Sequence, residues 1–175
     1  ITNKIYEKAG LKRWQVSPND IKNLEPSISE KNTVGGFYNT FDYTGDIHKF
    51  CIELGRILKQ KYKVKILKKH ISSLNNQMHD CDAIIVCAGT GSRSLARSIS
   101  DNLPIYPVKG YSITINNPGD CCPWVSLLDD DCKIVTSRLG KDRLRIAGTA
   151  EFCGYNTDIR WDRIRPLIKW TEKYF

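Results

Sequence analysis

Residues 82–115 constrain this chain most. Ala83, Ile84, Ile85, Val86 and Cys87 form a short, continuously apolar run, the pattern of a strand buried on both faces. The run breaks at Ala88-Gly89-Thr90-Gly91-Ser92, where two glycines let backbone amides approach a ligand with no Cβ in the way. Ser92 is placed to cap a short helix with Leu95, Ala96 and Ile99 on its apolar side. Strand, glycine turn and helix start, in that order, suit a phosphate or a ribose edge. A constrained segment, Pro104-Ile105-Tyr106-Pro107-Val108-Lys109-Gly110-Tyr111, comes next. Residues 111–115 then alternate as a strand of an antiparallel sheet.

Upstream, Ile5, Tyr6 and Ala9 before Gly10 predict a helix end, and residues 13–16 a short extended piece. Ser17 as cap and Pro18 at the first helical position predict a second short helix, stopped by Pro26. Residues 34–41 are strand-like after Gly35 and Gly36. Asp46 is placed to cap the clearest helix of the chain, in which Ile47, Phe50, Cys51, Leu54, Ile57 and Leu58 share one face. That face is expected to be core. Residues 63–67 predict a strand that runs parallel to 83–87, although the link over 68–82 is short for a crossover.

Downstream of 115, strands are predicted at 124–128, 133–137 and 143–147, joined by short turns into a meander. Asp129-Asp130-Asp131 reads as a solvated hairpin rather than a cation site. The last helix carries Trp161, Ile164, Leu167, Ile168 and Tyr174 on its apolar side. Its start is unsettled, because Pro166 suits a first turn and not an interior.

Charge and cysteines bound the function. The net charge is +8, but the Lys and Arg residues are scattered, so a solvated basic surface is preferred to a nucleic-acid site. Seven cysteines without a CxxC pair, with three histidines not at ligand spacing, argue against zinc and for reduced thiols in a cytoplasmic setting. No apolar run approaches the ~20 residues of a membrane span.

Several motifs follow one another in a recognisable order: Leu24-Glu25-Pro26-Ser27-Ile28, Gly35-Gly36, Asp42-Tyr43-Thr44-Gly45-Asp46, residues 82–89, residues 103–112, Ser137-Arg138-Leu139-Gly140, and residues 145–151 ending Gly148-Thr149-Ala150-Glu151. In these the chain resembles the bacterial flavin-dependent D-amino acid dehydrogenases, within the D-amino acid oxidase superfamily. Pro107-Val108-Lys109-Gly110-Tyr111-Ser112 with the later Gly148-Thr149-Ala150-Glu151 is the specific part.

The resemblance implies an α/β (α+β) fold: an antiparallel substrate-domain meander plus part of a FAD-binding Rossmann-like layer. The substrate-domain part would occupy residues 1–42 and 103–160, the partial FAD-binding part 43–102, and a C-terminal helix 161–175. It implies FAD as cofactor and oxidative deamination of D-amino acids, D-alanine among them, to 2-oxo acids and ammonia. The implied cofactor-binding residues are Val64, Ala88, Gly89, Gly110 and Gly148. The implied catalytic residues are Lys109, Gly110, Tyr111 and Thr149. For Tyr111 a place in the core stays an equal alternative. Arg138 or Arg145 could clamp a carboxylate, but for each a surface ion pair is the preferred reading.

The Gly-x-Gly-x-x-Gly turn that binds a cofactor pyrophosphate occurs nowhere in the 175 residues. With Ile1 as first residue, the chain is therefore read as a central fragment, inactive and weak in FAD binding by itself. The expected partners are a D-amino acid, a second chain carrying the missing FAD-binding half, and a membrane surface at the inner face touched by the full enzyme. Nucleic acid is not expected. An inactive or split-gene remnant, or a non-enzymatic basic binding module, remain as alternatives.

Overall fold

The computed structural model describes residues 2–75 and 81–175. Helix α1 (Thr2–Lys8) ends at Gly10, whose φ of +83° is a left-handed conformation open to glycine. Strand β1 (Trp14–Val16) pairs antiparallel with β2 (Gly36–Tyr38), setting Trp14 opposite Tyr38 and Val16 opposite Gly36. Between them, α2 (Pro18–Leu24) starts as predicted. The Ser17 hydroxyl accepts the N–H of Asp20, and the Asp20 carboxylate accepts the N–H and O–H of Ser17. Those donors hold the Asp20 carboxyl below its ordinary range.

The helix exit is anchored by a buried carboxylate. Glu25 accepts the backbone N–H groups of Trp124 at 2.5 Å and Val125 at 2.9 Å, and the Ser27 hydroxyl at 2.7 Å. This corrects the strand expected at 124–128. Two of its N–H groups go to Glu25 instead of a neighbouring strand, and only β4 (Leu128–Asp129) remains.

Helix α3 (Ile47–Gln60) is capped by Asp46, whose carboxylate accepts the Lys49 N–H and pairs with Arg143 at 3.1 Å. Both contacts, the N–H first, keep that carboxyl below its usual range. The apolar stripe of α3 departs from expectation. No residue of the helix is buried, and Ile47 and Phe50 are 70% and 60% exposed.

The main sheet has the order β3-β6-β5-β4, with β3 (Lys109–Asn116), β5 (Ile134–Leu139) and β6 (Arg143–Glu151). The β4–β5 and β5–β6 pairs are antiparallel hairpins. Where β3 ends, the Asn117 N–H donates to the carbonyl of Asp142, just before β6 begins. One face of this sheet carries the core: Tyr111, Ile134, Leu144 and Ile146, joined by Cys122 and by Leu167 and Trp170 of helix α5 (Trp161–Tyr174). Pro166 lies inside α5, and Leu167 beside it is fully buried. Packing of this face has overridden the roughly 3 kcal/mol that an interior proline costs a helix. The Trp170 indole N–H donates to Asp129 at 2.8 Å, which explains one of the three hairpin aspartates.

Contacts divide the chain into two units. The first comprises residues 1–52, 110–150 and 159–175, so the last helix belongs with the meander; the second comprises 53–109 and 151–158. In the second unit, α4 (Ser92–Arg97) buries Leu95 and Ala96. Residues 151–158 contribute Gly154, whose N–H donates to the Tyr106 hydroxyl, and Phe152, stacked on the Tyr106 ring.

The two parallel strands predicted for this unit are absent. Residues 63–67 and 83–87 have no strand structure, and their apolar side chains are exposed, Ile85 at 87%. A strand of a parallel sheet needs a hydrogen-bonded neighbour from a distant part of a chain, and none pairs with either run among the described residues. Of the short link between them, residues 76–80 lie outside the described residues. All seven cysteines are free thiols. Among the described residues no helix is long and apolar enough to cross a membrane.

Candidate functional site

The face of the main sheet opposite the core is the place to build a site. On β3 it carries Gly110, Ser112 and Thr114, on β5 Val135 and Ser137, and on β6 Arg145 and Ala147, as strand alternation from the buried set requires. Val135 pairs with Ala147 and Ser137 with Arg145. Ser137 therefore sits directly across the strand pair from Arg145.

Gly110 is the informative glycine of this face. It is exposed, its φ is not positive, and a Cβ built on it would meet no atom within 4 Å. Among the described residues no contact calls for glycine there, and the strand is open to a group laid on it. Gly148 is the opposite case. A Cβ there would lie 2.8 Å from Ile134 Cγ1, 3.0 Å from the Lys133 carbonyl oxygen and 3.1 Å from Leu167 Cδ2. The chain's own packing is sufficient reason for that glycine.

Tyr111, the next residue of β3, points the other way and is buried in the core cluster. Thr149 has a φ of +53°, unusual for a β-branched residue, and its hydroxyl donates to the Arg163 carbonyl at 3.1 Å. It lines a cavity of about 350 Å³ with Cys132, Ile134, Pro166, Lys169, Trp170 and Lys173.

The three arginines of the meander separate cleanly. Arg138 donates to the carbonyls of Cys122 and Gly140 and stacks 3.7 Å over the Trp124 ring, so it braces loops, and it makes no ion pair among the described residues. Arg143 pairs with Asp46. Arg145 is exposed on the open face and its side chain has no hydrogen-bond or ion-pair partner among the described residues.

In the second unit, Lys109 is half-buried and bound to Glu151 at 3.1 Å. Ala88 and Gly89 open a tight turn, and a Cβ on Gly89, whose φ is +54°, would also meet nothing within 4 Å. Ser92 does not cap α4 but is its first residue, and its hydroxyl accepts the Ala88 N–H at 3.2 Å. Val64 follows α3, and its N–H donates to the Leu58 carbonyl at 3.0 Å. Glu151 and Glu25 are the buried acids that residue patterns alone left unassigned. Both lie inside recognised motifs, and only their burial marks them. The described residues hold no group of His, Cys, Asp and Glu fit for a metal ion.

The family model for FAD dependent oxidoreductases matches residues 3–175. The chain belongs to that family. D-amino acid dehydrogenase 3 of Mesorhizobium japonicum is 44% identical over 191 residues, covering 99% of this chain and 46% of that protein. The D-amino acid dehydrogenase of Dechloromonas aromatica is 35% identical over 98% of this chain and 46% of its own length. The chain thus spans about half the length of the curated relatives it matches. The first alignment, 191 positions against 175 residues, also means that the relative carries positions this chain lacks. The glycine oxidase of Geobacillus kaustophilus superposes with a TM-score of 0.81 at 13% identity, over 98% of this chain and 48% of that one. This shows that the mixed α/β architecture is the fold of that enzyme.

The fit to FAD rests on the glycines. In the first unit Gly110, and separately in the second unit Gly89, leaves backbone that no described residue approaches, room for a group laid against each.

Proposed function

We propose that the chain forms the central part of a FAD-dependent D-amino acid dehydrogenase that deaminates D-amino acids to 2-oxo acids and ammonia. The observation that carries this reading is Gly110, exposed on an open sheet face, where no contact among the described residues requires glycine. When bound, FAD supplies the hydride acceptor that amine oxidation needs and no side chain provides.

The chain's own work is to hold and orient. Gly110 keeps the strand bare for the flavin ring. Arg145 offers parallel N–H donors to the substrate carboxylate, with Ser137 directly across the strand pair. Within the second unit, the carbonyl side of Val64 and the turn at Ala88 and Gly89 serve the adenine and ribose end. Tyr111 and Thr149 support the strands from behind, and Gly148 answers to packing.

The rest of the FAD site, with its glycine-rich turn, comes in this reading from polypeptide outside these residues, in the same protein or in a second chain. Two observations favour that: the α3 stripe, in which no residue is buried, and the exposed apolar side chains within residues 63–67 and 83–87. The full enzyme would work in the cytoplasm at the inner membrane face, where a net charge of +8 suits anionic headgroups.

The test is a visible absorbance scan of purified protein, with and without added FAD. Flavin bands in protein that contains both this chain and a glycine-rich partner segment, together with weak uptake by the chain alone, are the expected result. An assembly that takes up no flavin would refute the reading.

A further inference from the structure

Strand β6 changes hand before it ends. Leu144, Ile146 and Gly148 turn toward the core, as alternation demands. Thr149 then adopts a φ of +53°. A single left-handed residue inserts an extra place and resets the alternation, as at a bulge. Ala150 is accordingly exposed and Glu151 buried, the reverse of what an unbroken strand would give.

Glu151 is thereby brought to Lys109, the first residue of β3. Glu151 Oε2 lies 3.1 Å from Lys109 Nζ, with the two side chains 8% and 19% exposed. Lys109 Nζ also donates to the carbonyl of Asp158 at 2.6 Å. Desolvation makes so buried a pair a poor source of net stability. Its directional geometry makes it a good source of placement, and the residue placed next in the chain is Gly110.

We infer that Glu151 is a positioning residue. Through Lys109 it fixes the start of β3, so that the bare backbone of Gly110 is presented at one height and angle. Lys109 then acts through the strand and not by contact with substrate. The inference rests on the reading above that Gly110 meets the flavin.

The experiment measures FAD dissociation constants and the circular dichroism of bound flavin in the flavin-loaded protein. It compares wild type with Glu151→Gln, Lys109→Met, the double variant and Lys109→Arg. Glu151→Gln and Lys109→Met should each weaken FAD about tenfold and change the flavin dichroism, and the double variant should be no weaker than either single one. Lys109→Arg keeps charge and donors and should stay within about threefold of wild type, whether or not the harsher variants fold well. Wild-type affinity and dichroism in Glu151→Gln would overturn the positioning role alone. So would a double variant whose loss is the product of the two single losses, or a Lys109→Arg variant as weak as Lys109→Met. Wild-type protein that takes up no flavin would overturn the flavin reading and this inference with it.

Discussion

Helices α3 and α5 have the same length, 14 residues, and the same kind of apolar stripe, yet only one is covered. Leu167 of α5 is fully buried and Trp170 is 7% exposed, both packed on the meander. Along α3, Ile47, Phe50, Leu54 and Ile57 are exposed. The partner of α5 is a set of hairpins close by in the same unit. The stripe of α3 buries no residue against the described part of the chain. An amphipathic pattern says that a face needs a partner, but not where the partner is.

The sharpest way to break this comparison is to truncate each stripe. Leu167→Ala should cost about 2–5 kcal/mol, since it empties a filled core position. Phe50→Ala should cost no more than about 0.5 kcal/mol, as at an exposed site. Denaturant midpoints measure both, and a large cost at Phe50 would mean that α3 is covered after all.

The two glycines extend the contrast. Gly148→Ala forces a methyl group against Ile134 and Leu167 and should destabilise by about 1–3 kcal/mol. Gly110→Ala enters open space and should shift stability by about 0.5 kcal/mol or less. Thermal unfolding of the two variants side by side decides between them.

What the sequence made legible is what short-range chemistry decides. Ser17 with Asp20 started α2, Asp46 capped α3, and short turns joined the meander hairpins. Alternation in β3 was legible too, but not which side faced the core, so Tyr111 stood equally as site or core residue. The strand expected at 124–128 was cut short by Glu25, about a hundred residues away in sequence. Residues 63–67 read as a strand because Val64 and Ile66 share one side, and residues 83–87 because they form a continuous apolar run; both patterns presume neighbours. The reset at Thr149, and with it the burial of Glu151, leaves no local signature at all.

A smaller effect sharpens the account of α5. Burial opposes ionisation of Asp129, but the N–H groups of Cys132 and the Trp170 indole outweigh it and hold its carboxyl below the ordinary range. A carboxyl lowered in the folded state contributes stability above its unfolded pKa, about 3.9, and loses it as pH falls through the folded value. Trp170→Phe removes one of those donors. The stability gap between wild type and variant should therefore narrow as pH drops below about 4, followed by unfolding midpoints across the acid range. A gap independent of pH would mean that the indole contact contributes nothing to the ionised form.

The central claim is that Gly110 is glycine because a flavin lies against it. Its most direct test is the FAD dissociation constant of the flavin-binding protein with Gly110→Ala and Gly110→Val, alongside their unfolding midpoints. The account predicts unchanged stability with an affinity loss that grows with side-chain size, reaching about tenfold or more for valine, the equivalent of roughly 1.4 kcal/mol. Wild-type affinity in Gly110→Val would contradict it.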